Sequence, residues 1–405
     1  MTYIFLTPEL GTMGGSQMYV CNKSTYLRMK GWNVKIVYFT ESELLIKKLG
    51  EFESIYAPEL AWGVQYYLPS RVKKIINRLV STLNISDTDV YIESCLFQLA
   101  FWGEMLASKL RAKHILHFLE EDIPSFSKRV SFFMEFKLSR WECMNASEKS
   151  LKRLFKTFYK PEYKNYEFKT DFFCSNVFQK SEIAIESNIH FEKADDTILS
   201  IGRLDKSYIQ EMVEQVIKFS NKYNNRRINL VLIGGSPNGK SEKVIERTLM
   251  SVHNVRTYIL GYLFPIPERI VKSANIAIAT SNSVLIPYNL GIPTIAVDSN
   301  DHFAIGLYGI DTLHKVFRID EMPVPIGEYL EKVLIKKDFP MYDTVIVMKS
   351  EDEILDEHFK GQVEYVRKTS NDGIYYNISD LYSCIDITRG ILVRNYSRKK
   401  KQTLS

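Results

Sequence analysis

Four stretches of this sequence combine glycines, cations or small hydroxyls in ways that suit an anionic or sugar-bearing ligand. The first is Thr7-Pro-Glu-Leu-Gly11-Thr-Met-Gly14-Gly15-Ser16-Gln17, between a short apolar run and a helical pattern. Glycines let the backbone approach a ligand, and a helix N-terminus offers unpaired N–H groups to an anion or a hydroxyl. The spacing fits neither G-x-x-x-x-G-K-[ST] nor G-x-G-x-x-G, and a tight strand-to-helix turn would use the same glycines. The second is His117, closing the run Lys113-His-Ile-Leu-His-Phe118, where a strand end would aim it into a cleft. A lone histidine is more often structural than functional. The third, Gly202-Arg203-Leu-Asp-Lys206, puts a forked donor and a point charge directly after a strand, as a nucleotide diphosphate requires. Exposed surface cations are the alternative. The fourth, Ser281-Asn282-Ser283, follows Ile276–Ala279 and precedes a short helix and the turn Gly291-Ile-Pro293. Hydroxyls and helix N–H groups there can hold a phosphate.

These loops need elements to carry them. In the first half, Tyr3–Leu6, Val34–Phe39, Val90–Ile92 and His114–Phe118 are short runs fit for strands buried on both faces. Val72, Ile75, Ile76, Leu79, Val80 and Leu83 mark one face of a helix, and Ser147 caps another that carries Leu151, Leu154, Phe155 and Phe158. A strand-like run around Phe172–Cys174 closes this half. In the second half, strands are expected at Ile198–Ile201, Ile228–Ile233, Val255–Leu260, Ile276–Ala279, Thr294–Val297 and Val316–Phe317. Helical patterns such as Met212, Val213, Val216, Ile217 and Phe219 lie between them. Alternating β and α means parallel sheets with helices on both faces. The expected division is 1–185, 186–340 and a C-terminal extension, 341–405, with a basic tail. In such sheets ligands sit beyond the carboxyl ends of the strands, where the four loops lie.

The 405 residues, 45% hydrophobic and 25% charged, exclude a mainly disordered chain, and no apolar run is long enough to span a membrane. Met1-Thr-Tyr-Ile-Phe-Leu reads as a first strand rather than a signal peptide, giving an expectation of a cytoplasmic protein. Cys21, Cys95, Cys143, Cys174 and Cys384 are odd in number and scattered, which argues for reduced thiols. Asp87-Thr-Asp89 precedes its strand, at the wrong end of a sheet for a metal-binding D-x-D, and no metal site is expected. The net charge of +5 is mild and no nucleic-acid motif accompanies it. Between Lys149 and Lys169 seven cations mix with six aromatic residues, and Arg398-Lys-Lys-Lys401 follows later. Such mixtures suit an anionic membrane surface, although a solvated helix face and a disordered tail would look alike.

In this order the segments resemble the retaining glycosyltransferases of the GT-B fold, family 4, over most of the chain to about residue 320. Gly14-Gly15-Ser16-Gln17 resembles the family's G-G-x-[QE] acceptor-side loop, Asp89-Val-Tyr-Ile its "D-V-I" strand, and His117 its active-site histidine. Cys143-Met-Asn-Ala-Ser147-Glu148 is similar to the "vSe" segment, Ser175-Asn176-Val177 to "NGV", Ile201-Gly-Arg203-Leu to "vGRL" and Leu260-Gly261-Tyr262 to "lGyv". The resemblance implies an α/β GT-B fold, two doubly wound Rossmann-like domains facing a cleft. It further implies metal-independent transfer of a sugar from a nucleotide diphosphate donor to a glycan or lipid-linked acceptor in bacterial surface polysaccharide synthesis, at the inner face of the cell membrane. His117, Arg203 and Lys206 would be catalytic. Gly202, Gly234, Gly235, Gly261, Tyr262, Ser281, Asn282 and Ser283 would bind the donor, which is a substrate; no cofactor is implied.

Two departures bear on this. Tyr208 stands where the family's diphosphate lysine lies, with Lys206 nearby as a substitute. Ile286 occupies the place of the second glutamate of the E-x7-E motif, and it cannot accept hydrogen bonds from ribose hydroxyls. A GT-B scaffold without catalysis, serving as a partner subunit, is therefore the rival reading. A sugar-nucleotide epimerase is a remoter one, with Glu120 and Glu121 as its acid–base candidates.

Overall fold

The computed structural model describes every residue except 12–13, 119–127, 169–188, 237–238, 264–265, 341–349, 370–371, 382–384 and 394–405. The chain divides into two compact units, Met1–Cys174 with Glu351–Ser405, and Ser175–Ser350. The residues after 350 thus belong to the first unit, and the boundaries fall at 174 and 350 where the sequence pattern suggested 185 and 340.

Unit 1 holds six parallel strands in the order β3-β2-β1-β4-β5-β6. They are β1 (Thr2–Glu9), β2 (Asn33–Thr40), β3 (Glu53–Tyr56), β4 (Val90–Ser94), β5 (Lys113–His117) and β6 (Cys143–Met144). Tyr3, Ile4, Phe5 and Leu6 are all buried, because helices cover both faces of a central parallel strand. The helix Pro69–Leu83 lays Val72, Ile75, Ile76, Leu79 and Leu83 on the core, as its period requires. The helix Gly15–Met29 is buried nearly all round, from Gln17 to Leu27. Its outer side is covered by the helix Glu351–Lys368, whose Phe359 meets Tyr19 and Tyr26 and whose Asp356 accepts from the Tyr26 hydroxyl (3.1 Å).

Unit 2 repeats the pattern in the order β12-β11-β10-β7-β8-β9, with β12 antiparallel. Its strands are β7 (Asp196–Ile201), β8 (Ile228–Ile233), β9 (Val255–Ile259), β10 (Ile276–Ala279), β11 (Thr294–Val297) and β12 (Ala304–Leu307). Side chains alternate between two apolar layers. Leu230 and Leu232 join Ile198, Ile276, Ile278 and the helix Tyr208–Lys222 on one face; Val231 and Ile233 join Leu199, Ile201 and Ala277 on the other. In each sheet the order reverses between two neighbouring parallel strands, β1 and β4 in one and β7 and β10 in the other. Crevices that bind ligands form at such reversal points.

The sequence pattern misplaces one strand. Val316–Phe317 is not a strand; the Val316 carbonyl accepts from Ser299 N–H, and the edge is the four-residue β12, with Gly306 inside it. β3 was not foreseen because it is an edge strand with mostly exposed side chains, and β6 because it has two residues. Ser147 caps the helix Glu148–Phe155 in a capping box with Ser150, as its position suggested. The run Phe172–Cys174 lies outside the described residues. Among the described residues no helix is long and apolar enough to cross a membrane.

Candidate functional site

The loops of unit 2 assemble first. After β7 the chain turns at Gly202 (φ +151°), whose N–H donates to the Ile233 carbonyl (2.9 Å); Leu204 N–H donates to the Gly235 carbonyl (3.1 Å). Gly234 N–H donates to the Gly261 carbonyl (2.7 Å), and the Tyr262 hydroxyl donates to the Gly235 carbonyl (2.9 Å). A Cβ on Gly234, already at φ +138°, would stand 1.9 Å from the Gly202 carbonyl oxygen. Only glycine fits there. Gly202, Gly234, Gly235, Gly261 and Tyr262 are therefore one interlocked set of strand ends.

Arg203 leaves this set with its side chain 53% exposed, 3.3 Å from the Asp205 carboxylate. An exposed pair of this kind is weak, so the guanidinium can be drawn to a ligand. Lys206 is half-buried on the same loop. Tyr208, at the first turn of the following helix, is buried beneath Gly202, and burial pushes its phenol up to about 12. It supplies no charge, which leaves Arg203 and Lys206 as the cations of this loop.

Across the reversal point, the loop after β10 holds Ser281 in the left-handed region (φ +59°), a conformation costly for serine and frequent at ligand sites. Its N–H donates to the Lys315 carbonyl, and Lys315 Nζ donates to Asn282 Oδ1 (2.5 Å). Thr280 shares a hydrogen bond with Ser299 (3.0 Å). Ser283 continues the same 3₁₀ turn, Ser281–Val284. Lys315 was missed in the sequence because it sits far downstream with no strand directly before it. Glu242 was missed too: its carboxylate accepts from Ser236 N–H (2.6 Å) and from the Ser236 hydroxyl. That negative charge disfavours an anion at the Gly235 turn. Ile286 packs half-buried against the apolar layer of Leu199, Ile201 and Ile292.

Unit 1 offers a different arrangement. The helix Gly15–Met29 starts with Gly14 as its N-cap residue, and Gln17 Nε2 reaches back to the Glu9 carbonyl (3.4 Å) while Ser16 donates to Gln17 Oε1 (3.0 Å). Gly14, Gly15, Ser16 and Gln17 thus close the turn beyond β1. His117 does end β5, but its ring has no exposed surface, unlike the cleft-facing side chain the sequence suggested. Its Nδ1 lies 3.1 Å from Glu93 Oε1 and its ring meets Tyr19 edge-on.

Glu93 is the centre of a buried network that the sequence reading did not single out. It accepts from Tyr3 (2.5 Å), Tyr19 (2.8 Å) and Lys23 (2.6 Å), all fully buried. Burial raises its carboxyl, but the Lys23 charge and hydrogen bonds from His117 and Lys23 outweigh it and hold the group well below the usual carboxylate range. An ionised carboxylate only accepts, so the His117 proton sits on Nδ1. Burial and the Lys23 charge lower the His117 pKa despite Glu93, which keeps the ring neutral.

A second buried group, Ser94–His114–Glu104, has the spacing of a hydrolase triad: 2.9 Å from Ser94 Oγ to His114 Nε2 and 2.8 Å from His114 Nδ1 to Glu104. Gly103 seals it, for a Cβ there would fall 2.3 Å from His114 Nε2 and 2.4 Å from Ser94 Oγ. Nothing can reach the serine, and Lys137 makes Glu104 part of an ion pair (2.8 Å). The role is structural.

Other sequence candidates fall elsewhere. Asp87 lies at the amino end of its sheet, accepting from the Thr2 hydroxyl. The basic, aromatic stretch turns most of its rings inward. Phe155 and Tyr163 are buried, Phe168 stacks on Tyr365 (3.8 Å), and Lys152 and Lys160 pair with Glu148 and Glu135. Ser175, Asn176, Val177, Glu120 and Glu121 lie outside the described residues. A groove of about 570 Å³ lined by Asn229, His253 and Arg256 opens at the amino ends of β8 and β9, the edge opposite the loops after β7 and β10.

No protein-family model and no curated protein sequence matches the chain. Solved structures do. A glycosyltransferase from Rickettsia africae is 13% identical with a TM-score of 0.60, over 91% of this chain and 99% of that one. Anabaena HepE, solved with UDP and glucose, is 13% identical with a TM-score of 0.57, over 91% and 100%. WaaG, a glycosyltransferase involved in lipopolysaccharide biosynthesis, is 12% identical with a TM-score of 0.53, over 88% and 99%. The chain has the GT-B fold they share, two Rossmann-like units with parallel-dominated sheets.

Proposed function

We propose that this chain is a retaining glycosyltransferase that takes a sugar from a nucleotide diphosphate donor. The reversal point of unit 2 carries the reading: Gly202, Arg203 and Lys206 on one loop, and Ser281 and Asn282 on the loop of the neighbouring strand, where Lys315 reaches Asn282 from the chain after β12. Exposed cations, a close-approaching backbone and small hydroxyls are what a diphosphate requires. Arg203 and Lys206 offset charge that develops on the departing diphosphate, so transfer continues in the presence of a chelator. HepE, a structural neighbour, was solved with UDP and glucose, which makes uracil the first base to try.

His117 is assigned to the donor sugar, with Glu93 fixing its tautomer. Contact with a sugar requires the enclosed ring to be uncovered when substrate binds. The acceptor is a lipid-linked glycan of a bacterial surface polysaccharide, reached from the cytoplasmic face of the membrane; the resemblance supports this, as does the role in lipopolysaccharide synthesis stated for WaaG. The 149–169 stretch contacts that membrane through its outward cations.

Thermal unfolding against a panel of nucleotides and sugar nucleotides tests the reading. A ligand at 100 times its dissociation constant stabilises by about 2.7 kcal/mol. One diphosphate and its sugar conjugates should raise Tm, and donor turnover should follow. Ile286, packed in an apolar layer where a ribose-binding glutamate would stand, favours a second reading, a scaffold without a donor site. No response to any nucleotide would select that reading.

A further inference from the structure

Two hydroxyls of unit 2 are buried beneath the strand end that carries Gly202. Ser200 is 1% and Tyr208 2% exposed, and neither side-chain oxygen has a hydrogen bond of ordinary geometry among the described residues. They come from different elements. Ser200 is the penultimate residue of β7, on the sheet face it shares with Ile198. Tyr208 opens the helix Tyr208–Lys222, which packs on that face, and the two hydroxyls lie near enough for Ser200 to act on the phenol. A polar oxygen inside an apolar layer is destabilising unless something completes its hydrogen bonds. Packing alone has no use for the oxygen, since a phenylalanine ring would fill the same space.

The approach to the phenol leads past Gly202. This residue is half-buried, and a Cβ on it would meet only the Tyr208 hydroxyl oxygen, 3.2 Å away, among the described residues. Its φ of +151° is one that residues with a side chain rarely adopt, so the space stays open. A ligand oxygen seated there is close to the O–H···O range of about 2.5–3.0 Å from the phenol. Burial holds the phenol at about 12, so it keeps its proton and donates. The neighbouring side chains select the acceptor. Arg203, half exposed directly after Gly202, and Lys206 on the same loop attract an anionic oxygen in preference to a neutral one.

We propose that Tyr208 is a ligand-binding residue, whose hydroxyl donates across Gly202 to a phosphate oxygen of the nucleotide diphosphate. It adds a neutral hydrogen bond beside the two cations of the loop. The proposal rests on the donor site proposed above, in which Tyr208 had no part.

Tyr208→Phe tests it, because phenylalanine keeps the ring and removes only the oxygen. The full chain and the variant are titrated calorimetrically with UDP, dTDP, GDP, ADP and CDP. The wild type should bind one of these diphosphates, and Y208F should bind it about 10- to 100-fold more weakly, the loss of a hydrogen bond to a charged group. Without ligand, Y208F should unfold at or above the wild-type Tm, since the hydroxyl has no protein partner to lose. The phosphorus NMR signals of the bound diphosphate should differ between the two proteins. If the wild type binds a diphosphate and Y208F binds it equally well, the proposal falls and the donor site stands. Unchanged phosphorus signals, with weaker binding, would move the hydroxyl's contact away from the phosphates and overturn it too. A lower Tm of unliganded Y208F would give the hydroxyl a structural role instead. If the wild type binds none of the five, the donor site falls and this proposal falls with it.

Discussion

In unit 1 the strand that flanks the reversal point, β4, ends in Glu93-Ser94, and both side chains are sealed from solvent among Lys23, Tyr19, His114 and His117. In unit 2 the corresponding strand, β10, ends in Ala279 and leads to Thr280 and Ser281, and the nearby guanidinium of Arg203 is half exposed. The sheets share one strand order but handle charge in opposite ways. Buried charge, fully paired, fixes one arrangement of the elements around it and is costly to disturb. Exposed charge contributes almost nothing to folding and remains available to a ligand. The comparison places the rigid half of the molecule in unit 1 and the exchangeable half in unit 2.

The largest effect should come from Glu93→Gln. Removing the carboxylate strands Lys23 in the core and should cost about 3–5 kcal/mol. All four tryptophans (Trp32, Trp62, Trp102 and Trp141) lie in unit 1, so urea unfolding followed by their fluorescence reads that unit. An unchanged midpoint would break the contrast.

Acid should act next. His114 is pushed down to about 4 by burial and the Lys137 charge, against about 6.5 when unfolded. A depressed pKa contributes stability that is fully present above about pH 6.5 and is lost as pH falls through 4, about 3 kcal/mol for this group. The lowered His117 acts in the same direction. In unit 2 the Glu321 carboxyl is held at about 2, where hydrogen bonds from Thr312, Ile319 N–H and His314 overcome burial, so its contribution is lost only below about pH 4.5. Tryptophan-monitored stability should therefore fall between pH 6.5 and 4.5, ahead of the loss that Glu321 brings. A flat profile across that window would contradict the assignment of neutral, buried histidines.

Gly234→Ala tests unit 2 where it is rigid. The clash with the Gly202 carbonyl and the φ of +138° should cost about 2–3 kcal/mol and remove the nucleotide response. The smallest effect on folding should be that of Arg203→Ala, within about 0.5 kcal/mol of the wild type. It should nevertheless abolish transfer. A variant with near-normal turnover would sink the donor-site assignment.

Much of the fold was legible because β1, β2, β8, β10 and β11 are nearly continuous apolar runs, broken only by single polar residues such as Lys35 and Asn229, the signature of strands covered on both faces. The loops after β7 and β10 were legible because glycine, cations and hydroxyls follow those runs directly. The Glu93 network was not, because only Tyr19 and Lys23 stand one helical turn apart, while Tyr3, Glu93, His117 and Gln362, which accepts from Lys23, are scattered along the chain. One local signal existed: a glutamate within Val90-Tyr-Ile-Glu-Ser, where a buried parallel strand has no use for a lone charge. Lys315 gave no such signal, since its approach to Asn282 depends on the irregular chain after β12.

The division of unit 1 into two pieces has a consequence for biosynthesis. Lys23 and Gln362 share a buried hydrogen bond across 339 residues, and the outer side of the helix Gly15–Met29 has no cover until Glu351–Lys368 has been made. Ribosomes add about 5–20 residues per second, so the N-terminal segment waits tens of seconds for its last partner. Unit 2 is one uninterrupted stretch, Ser175–Ser350, and its partners are all present by the time residue 350 emerges. The half that begins second can finish folding first, and the early-made half is the nascent chain's exposure to chaperones and proteases.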